Sequence, residues 1–392
     1  MADPSTSPPL TRESVAAARE LIKPFVHRTP VITSSSLSAL ASGAGPDAGS
    51  EPEEGEGAGK PKAKPKLRLW FKCENFQKVG AFKARGAFHA VERLKREPGW
   101  LEGGGAKRGV VTHSSGNHAQ ALSLAARANG IPAYIVMPTI SAAPKIAATK
   151  GYGAQVVFSG STSVEREAVT MKVIEDTGAR LVPPYDHPDI VLGQGTLGLE
   201  FQEQVEALIA EEHEKAGAGK KKKKKKGLDA IIAPCGGGGM LSGVALSCEG
   251  TGIRVFGSEP SFQGADDAKR GYESGVRVEA VSSLTVADGL RTPLGRVPWS
   301  VIYERRLVAG FYSVSEAEII RAMRLAYERL KVVVEPSSAV PLAVALYNED
   351  FRAMVEREAG EDGWDVGIVF SGGNVSLEAL GKLFAENPEV AK

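Results

Sequence analysis

Apolar and polar residues along this chain alternate between the two periods that distinguish strands from helices. Short apolar runs, typical of buried strands, are separated by stretches in which apolar residues recur every three or four positions. The clearest pair is the run 67–73, followed by helical spacing over 84–94. Strands that alternate with helices in this way predict parallel sheets with helical crossovers, which is an α/β fold.

The same alternation continues to residue 370. Further predicted strands are 109–112, 133–137, 155–158, 181–182, 230–233, 254–257, 332–334 and 367–370. Further predicted helices are 11–23, 119–129, 142–150, 164–177, 195–214, 240–247, 314–330 and 338–347.

Two low-complexity segments interrupt the pattern. Residues 42–66 are rich in Gly, Pro, Glu and Lys and have almost no large apolar side chain, so they cannot bury enough surface to order themselves. Residues 216–227 include an unbroken lysine run from Lys220 to Lys226. Like charges repel each other and favour a solvated loop, with a nuclear-targeting or nucleic-acid patch as the alternative. We predict that both segments are disordered insertions.

Composition narrows the class of protein. The 392 residues are 42% hydrophobic and 24% charged, which allows a sizeable core. A net charge of +1 gives no general attraction to nucleic acid or membranes, so we expect neither as a partner. The polar, Pro-rich first ten residues lack an apolar signal core, and we expect a cytoplasmic location. The three cysteines lack the spacing of a zinc site or disulfide framework.

Lys83 is the first candidate for chemistry. It lies at a strand-to-helix transition between Gly80 and Gly86, and Phe82 beside it offers an apolar wall that disfavours a charged ammonium. Such an environment suits a Schiff-base lysine, because only the neutral amine attacks a carbonyl. The alternative is an ordinary helix lysine whose stem packs on the surface.

A run of four glycines, Gly236 to Gly239, joins a predicted strand to a predicted helix. Successive backbone N–H groups can there turn toward one anion, so a phosphate fits. A dinucleotide is the alternative, since Glu259 follows the next strand.

Two polar loops also follow predicted strands. In the loop 114–118, free N–H groups at the start of a helix can hold a carboxylate, although Ser114 or Ser115 could instead be a simple helix N-cap. Ser371 is followed by two glycines and can aim its hydroxyl at a flat ring, or the glycines can simply form a turn.

Four motifs in this order resemble the fold-type II pyridoxal phosphate enzymes, in the branch that holds serine racemase and the serine and threonine dehydratases. They are 74–87 around Lys83, Ser-Ser-Gly-Asn-His at 114–118, Pro-Cys-Gly-Gly-Gly-Gly-Met at 234–240 and Ser-Gly-Gly-Asn at 371–374. The resemblance implies a two-lobed α/β fold of the tryptophan synthase β type, with parallel twisted sheets flanked by helices. Residues 1–108 and 188–392 would form the large cofactor-binding lobe and residues 109–187 the small mobile lobe.

The resemblance also implies roles for individual residues. Lys83 and Ser115 would be the catalytic acid–base pair on opposite faces of the cofactor ring. The cofactor-binding residues would be Phe82, Lys83, Asn117, Gly236, Gly237, Gly238, Gly239, Met240, Glu335 and Ser371. The substrate-binding residues would be Ser114, Ser115, Asn117, His118, Arg166 and Thr292. A hydroxyl at Ser371 cannot hold the ring nitrogen protonated as an aspartate would, which makes the ring a weaker electron sink.

A divalent cation is a further implication. The family ligands match Glu259, the carbonyl of Ala265 and Asp267, hard oxygen donors suited to Mg²⁺ or Ca²⁺. This segment is two residues longer here than in the family, and the aspartates could instead cap a helix.

We therefore predict a homodimeric enzyme that acts on β-hydroxy amino acids. The expected function is a serine racemase with L-serine and L-threonine ammonia-lyase activity, using L-serine, D-serine, L-threonine or 3-hydroxyaspartate. The alternative is a 3-hydroxyaspartate or threonine dehydratase without racemase activity. A β-replacement synthase is disfavoured because its lysine motif typically reads Ser-Val-Lys-Asp-Arg, against Ala-Phe-Lys-Ala-Arg here. A non-catalytic nucleotide or nucleic-acid binder remains the rival from another class.

Overall fold

The structure, a computed structural model, describes residues 3–43, 62–141, 143–215 and 226–387. The strands are β1 Val31–Thr33, β2 Leu67–Cys73, β3 Val110–His113, β4 Ala133–Pro138, β5 Gln155–Ser159, β6 Arg180–Leu181, β7 Ala230–Pro234, β8 Arg254–Pro260, β9 Gly310–Val314 and β10 Trp364–Phe370. The helices are α1 Arg12–Ile22, α2 Ser35–Ala41, α3 Lys83–Leu94, α4 Gly105–Arg108, α5 Asn117–Ala128, α6 Ala143–Gly151, α7 Ser163–Thr177, α8 Pro188–Lys215, α9 Gly239–Cys248, α10 Asp267–Ser274, α11 Arg296–Trp299, α12 Glu316–Leu325, α13 Pro336–Tyr347, α14 Glu349–Ala359 and α15 Leu377–Ala385.

These elements form two sheets, and the predicted α/β class is confirmed. One sheet has the order β1-β2-β10-β7-β8-β9, parallel except for β1, and the other has the parallel order β5-β4-β3-β6. The strand β10 lies at the centre of the larger sheet, with Val366 opposite both Leu69 and Ala230. Central parallel strands are covered by helices on both faces, which explains their nearly continuous apolar sequences.

The smaller sheet is built from residues 110–181, inside the predicted small lobe. Its core also includes Phe88 and Val91 of α3, which pack with Leu122 of α5 and Ile135 of β4. Whether residues 109–187 move as a separate lobe stays a prediction.

Several predicted elements need correction. Residues 332–334 do not form a strand, because the carbonyls of Val333 and Val334 accept hydrogen bonds from Asn75 Nδ2 (3.0 Å) and the Tyr327 hydroxyl (3.0 Å) rather than from a neighbouring strand. The strand β9 and the helix α14 were not predicted, and β9 occupies the start of the predicted helix 314–330. That helix ends in a π-helical turn before Lys331, whose φ is 61°.

The predicted insertion 42–66 includes residues that belong to the fold. The Arg352 guanidinium of α14 donates to the carbonyls of Ala41 and Ala63, the second at 2.7 Å. Glu349 of the same helix accepts from the Ala63 N–H at 3.0 Å. The helix α14 therefore holds both ends of the segment through these hydrogen bonds, which we call the clamp. The predicted bounds of the insertion, 42–66, are too wide. Residues 44–61 and 216–225, which carry the rest of both predicted insertions, lie outside the described residues.

A buried cluster of four charged side chains joins β2, α3 and α8. The Arg85 guanidinium donates to both carboxylate oxygens of Glu74, from Nε and Nη2 at 2.8 Å each, and from Nη2 to Glu200 Oε1 at 3.1 Å. Lys72 Nζ lies within hydrogen-bond distance of the same Glu200 oxygen, at 2.5 Å. Thr29 completes the cluster by donating its hydroxyl to Glu74 at 2.6 Å and its N–H to Glu200 at 2.9 Å. Each of the two cationic and two anionic side chains thus has an oppositely charged partner inside the core.

Among the described residues, no helix combines the length and the apolar character that a membrane crossing requires.

The cluster predicts a large and specific stability effect. Arg85→Met leaves Glu74 as a buried, unpaired carboxylate, so we expect a loss of about 3–5 kcal/mol in the free energy of unfolding. The double variant Glu74→Gln/Arg85→Met removes one charge of each sign and should lose clearly less. Urea unfolding of both variants measures the difference, and equal losses would contradict this account of the cluster. The matched surface pair Arg19–Glu203, changed in the same way, should lose less than about 1 kcal/mol.

Candidate active site

Lys83 is the first residue of α3, directly after the loop that follows β2. Its Nζ donates to the Pro184 carbonyl at 2.7 Å and lies 5.0 Å from the centre of the Phe82 ring. Burial lowers the pKa of Lys83 to about 8, and the nearby carboxylate of Glu335 only partly opposes this. About a tenth of the amine is then neutral at pH 7, far more than for a free lysine. The lysine is thus prepared to attack a carbonyl.

The backbone of the loop before Lys83 is held by the loop that follows β10. The Phe82 N–H donates to the Ser371 carbonyl, and the Gly373 N–H donates to the Gly80 carbonyl, both at 2.9 Å. Val79 and Gly80 adopt left-handed φ angles of 58° and 68°. A β-branched residue at positive φ is unusual, so these cross-links hold a strained turn in place.

Asn117, Glu335 and Asn374 form a hydrogen-bonded chain near Lys83. Asn117 Nδ2 donates to the Glu335 carboxylate at 3.0 and 3.2 Å, and Asn374 Nδ2 donates to Asn117 Oδ1 at 2.8 Å. Burial raises the pKa of Glu335 to about 7, with repulsion from Asp288 adding to the shift. This carboxyl therefore changes its protonation state near neutral pH.

The loop 114–118 connects β3 to α5. Its N-cap is Gly116, with no side-chain capping bond, so the alternative of Ser114 or Ser115 as a helix N-cap is wrong. The Ser114 hydroxyl accepts from the Gly116 N–H at 3.3 Å. Among the hydrogen bonds of the described residues the Ser115 hydroxyl takes part in none, and the first N–H groups of α5 lack helical partners. Both are therefore available to a ligand.

His118 is held neutral. Its Nε2 donates to the Val182 carbonyl at 3.1 Å, whereas its buried Nδ1 has no hydrogen-bond partner. Burial, reinforced by the Lys83 ammonium, lowers the pKa of His118 to about 3. A group with this pKa does not carry a proton at neutral pH, so His118 is not a proton carrier, and its expected contact with the substrate stays a prediction.

The four glycines follow β7 and lead into α9, as predicted. Gly238 is the N-cap, with a φ of 83°, and no side chain caps the first N–H groups of α9, which include that of Met240. A Cβ on Gly237 would lie 2.3 Å from the Tyr185 ring, and one on Gly236 would lie 3.3 Å from the Thr292 hydroxyl. Gly237 thus has no room for a side chain and Gly236 has little, and the uncapped helix start can bind a phosphate.

Two expected substrate or ring contacts lie at the edges of the site. Arg166, near the start of α7, donates to the Ser161 carbonyl at 2.8 Å. Its charge helps lower the pKa of His113, which ends β3 next to Ser114, although burial is the main cause. Ser371 is buried at the end of β10, with its hydroxyl 3.0 Å from that of Ser338.

Several residues at this site were not predicted from the sequence. Lys145 of α6 forms an ion pair with Asp288 at 2.8 Å, joining the two sheets' loops near Glu335. Ser338, Pro184 and His113 were also missed. An isolated ion pair, a backbone carbonyl and a hydroxyl inside an apolar helix leave no pattern in the sequence that could have revealed them.

The expected cation ligands lie at the end of β8 and the start of α10. Glu259 accepts from the N–H groups of Ala268 (3.1 Å) and Lys269 (2.8 Å), whereas neither Asp266 nor Asp267 caps this helix with its side chain. The alternative of aspartate capping is therefore wrong. Burial and repulsion from Asp267 raise the pKa of Glu259 well above its usual value.

The carboxylate of Asp267 is only partly satisfied by hydrogen bonds. Its Oδ2 accepts from the Leu294 N–H at 3.0 Å, but its buried Oδ1 has no partner, and burial raises its pKa to about 6. No group of three His, Cys, Asp or Glu side chains that could hold a metal occurs within the described ranges. Two repelling carboxylates and one unsatisfied oxygen nevertheless fit a hard cation completed by a backbone carbonyl.

Comparisons with known proteins agree with this geometry. The family model described as "Pyridoxal-phosphate dependent enzyme" matches residues 58–372. The serine racemase of Arabidopsis thaliana is 41% identical over 94% of both chains. The β-hydroxyaspartate dehydratase of Paracoccus denitrificans is 38% identical over 94% of this chain and 98% of its own. The structure of maize serine racemase superposes with a TM-score of 0.77 at 38% identity, covering 97% of this chain and 98% of that one.

The fold and the site define a pyridoxal-phosphate-dependent enzyme of fold type II, as the motifs predicted. The chain belongs to the serine racemase and serine/threonine dehydratase family of these enzymes. The rival class, a non-catalytic nucleotide or nucleic-acid binding protein, is therefore excluded.

The raised pKa of Glu335 predicts a pH-dependent stability. The unfolded chain releases this proton near the usual pKa of 4.5, and the folded chain only near 7. Wild type therefore loses stability as the pH rises through this window, by up to about 3 kcal/mol. Glu335→Gln keeps an acceptor for Asn117 but does not titrate. Its unfolding free energy, relative to wild type, should increase from about pH 4 to pH 8.

Urea unfolding of the cofactor-free chain at several pH values measures this effect, with the exposed Glu378→Gln as a control for the substitution itself. A difference between Glu335→Gln and wild type that does not change with pH would contradict the assigned titration.

Proposed function

We propose that this chain is a serine racemase that also acts as an L-serine and L-threonine ammonia-lyase. The observation that carries the proposal is the unbonded hydroxyl of Ser115, two residues before Asn117, in a site that also holds a lysine whose amine is partly neutral. Two independent proton carriers are what an inversion at the α-carbon requires. The two racemases to which this chain is similar support the same function.

The proposed site uses its residues in the following way. The α9 N-terminus and the four glycines hold the phosphate of pyridoxal phosphate, and Lys83 holds its carbonyl carbon. When bound, the cofactor draws electron density from the α-carbon of the substrate. Backbone N–H groups at the start of α5 bind the substrate carboxylate, together with Ser114.

Two outcomes follow from proton transfer by these residues. The substrate amine would first take the place of Lys83 on the cofactor carbon, which frees Lys83 Nζ to remove the α-proton of L-serine from one side. Delivery of a proton by Ser115 Oγ from the other side gives D-serine. Loss of the β-hydroxyl as water, followed by hydrolysis of the released enamine, instead gives pyruvate and ammonia. L-Threonine and 3-hydroxyaspartate carry the same leaving group and enter the same elimination.

A dehydratase of 3-hydroxyaspartate or threonine without racemase activity is the second candidate. The relative from Paracoccus denitrificans, named a β-hydroxyaspartate dehydratase, favours it. So does the charge of Arg166 beside the loop 114–118, which suits a second substrate carboxylate. The two candidates differ in whether D-serine forms.

We also infer a homodimer in a reducing, cytoplasmic compartment. The exposed side chains of Phe76 and Val333 offer an apolar surface to a second copy, and the three cysteines are buried free thiols. Sedimentation of the purified chain at the mass of a monomer would overturn the dimer.

Ser115→Ala separates the two candidates. Because inversion needs a donor on the second face, we expect the variant to lose at least 100-fold in interconversion of L- and D-serine. Pyruvate formation from L-serine should remain measurable, since that route needs only Lys83 and a leaving hydroxyl. Chiral chromatography of serine and a coupled pyruvate assay measure both products.

The control Lys83→Ala should lose both reactions and the visible absorption band of bound pyridoxal phosphate. If the wild-type enzyme makes no D-serine when cofactor and cation are present, the racemase proposal is wrong and the dehydratase is the remaining candidate. Racemisation by Ser115→Ala would show that another group is the second proton carrier.

The proposed cation site predicts a ligand-dependent stability. Mg²⁺ or Ca²⁺ bound by Glu259, Asp267 and the Ala265 carbonyl stabilises only the folded chain, by about 2.7 kcal/mol at one hundred times the dissociation constant. We therefore expect a higher melting temperature with either ion. Glu259→Gln should lose the increase, whereas the neighbouring Asp266→Asn should keep it. Equal increases in the melting temperatures of wild type and Glu259→Gln would show that the ion does not bind at this site.

A further inference from the structure

Asn374 is a half-buried asparagine in the loop that follows β10, and its side chain bonds both Val79, before the lysine, and Asn117. We propose that Asn374 fixes the direction of the Asn117 amide, so that Asn117 can only donate a hydrogen bond to the ring oxygen of pyridoxal phosphate. This inference rests on the proposed function, and in particular on a contact between Asn117 and that oxygen. Asn374 would then be a positioning residue, since it acts on the cofactor only through Asn117.

The direction follows from a backbone carbonyl, which cannot donate. The side chain of Asn374 lies 2.7 Å from the Val79 carbonyl oxygen, so the atom at that position must be its nitrogen. The same nitrogen lies 2.8 Å from the side chain of Asn117, which must therefore present its oxygen there. These two bonds use both hydrogens of Asn374 Nδ2. The amide nitrogen of Asn117 is consequently turned away from Asn374.

The nitrogen of Asn117 faces Glu335, at 3.0 and 3.2 Å from the two oxygens of the carboxyl group. Glu335 alone does not fix the amide. Burial raises its pKa to about 7, and a carboxyl group that carries a proton offers both a donor and an acceptor. One hydrogen of Asn117 Nδ2 can serve both oxygens of a single carboxyl group, which leaves the other for the ring oxygen. What Asn117 offers to the ring is thus a donor.

A donor at the ring oxygen decides where one proton of the bound cofactor lies. When Lys83 is joined to the cofactor carbon, this proton lies either on the ring oxygen or on the nitrogen of the link. A hydrogen bond to the oxygen stabilises its negative charge and so favours the proton on the nitrogen. The carbon beside a protonated nitrogen is more electrophilic, so a substrate amine adds to it more readily. Asn374 would thus promote the exchange of Lys83 for the substrate.

The absorption spectrum of the holoenzyme tests the inference. The form with the proton on the nitrogen absorbs in the visible, and the form with the proton on the oxygen absorbs in the near ultraviolet. Asn374→Asp reverses the polarity that faces Asn117, because a carboxylate accepts but cannot donate. Asn117 should then turn its oxygen toward the ring. We expect the ratio of the near-ultraviolet to the visible band to increase at least about tenfold, the size of one hydrogen bond to a charged group.

A second variant serves if Asn374→Asp does not fold. Asn374→Leu has a similar branched shape and removes the donor without adding a charge, so the Asn117 amide is free to turn. The ratio of the near-ultraviolet to the visible band should increase about threefold or more, the size of an ordinary hydrogen bond. An unchanged ratio in either variant, folded and loaded with cofactor, would overturn the inference.

A matched control separates this result from a general effect of the substitution. Asn348 also donates its side-chain amide to a backbone carbonyl, that of Ser313 at 3.1 Å. Asn348→Asp should therefore leave the ratio of the two bands unchanged. An increase in this variant equal to that in Asn374→Asp would contradict the assigned role of Asn374.

A double variant tests the route through Asn117. In an Asn117→Ala background, Asn374→Asp should have no further effect on the ratio of the two bands. If Asn117→Ala itself leaves the ratio unchanged, the contact with the ring oxygen fails together with the inference. If Asn117→Ala changes the ratio and the Asn374 variants do not, the inference fails alone. The spectrum is read whether or not D-serine forms, so these outcomes are distinguishable from a failure of the proposed racemase activity.

Discussion

The paired charges of Glu74, Arg85, Glu200 and Lys72 hold the loop that carries Lys83. Glu74 begins this loop and Arg85 lies in the first turn of the helix that follows it, so their two hydrogen bonds join the two ends of the loop. Residues two apart on a helix point about 200° away from each other. With Arg85 fixed on one side of the helix, Lys83 points to the other side, toward the Pro184 carbonyl and Glu335. A buried ion cluster of this kind adds little stability compared with apolar side chains, but it allows few alternative arrangements.

The second constraint on the lysine comes from the other end of the chain. The turn after β10 is bonded to the backbone of residues 80–82, and Asn374 bonds both Val79 and Asn117. One asparagine thus touches the lysine loop and the residue expected to contact the cofactor ring. Lys83, Asn117 and Ser371 are consequently positioned by one connected group of hydrogen bonds, and a shift in one of them affects the others.

The sequence predicted those parts of the fold and the site that depend on local pattern. Strand β7 and its glycine loop are an example, because an apolar run followed by four glycines has few other structures. The run 332–334 was wrongly predicted to be a strand. Val332 and Val334 are buried and Val333 is half exposed, which is the alternation of a strand. The carbonyls of Val333 and Val334, however, accept hydrogen bonds from side chains and not from a neighbouring strand. The helix α14 had local signals, an Asn348 N-cap and acidic residues in its first turn, whereas the contacts of its Arg352 join segments far apart in the chain and leave no local pattern. The contacts of Glu335 with Asn117, 218 positions away, were unpredictable for the same reason.

The clamp on Ala41 and Ala63 also bears on how this protein can change over evolutionary time. Both ends of the intervening segment are bonded to one guanidinium of a neighbouring helix, independently of what the chain between them contains. The closure entropy of such a connection grows only slowly with its length. We therefore expect lengthening, shortening or replacing the segment to leave the residues around Lys83 in place, so that a lineage, or a protein engineer, can attach a new module at this position.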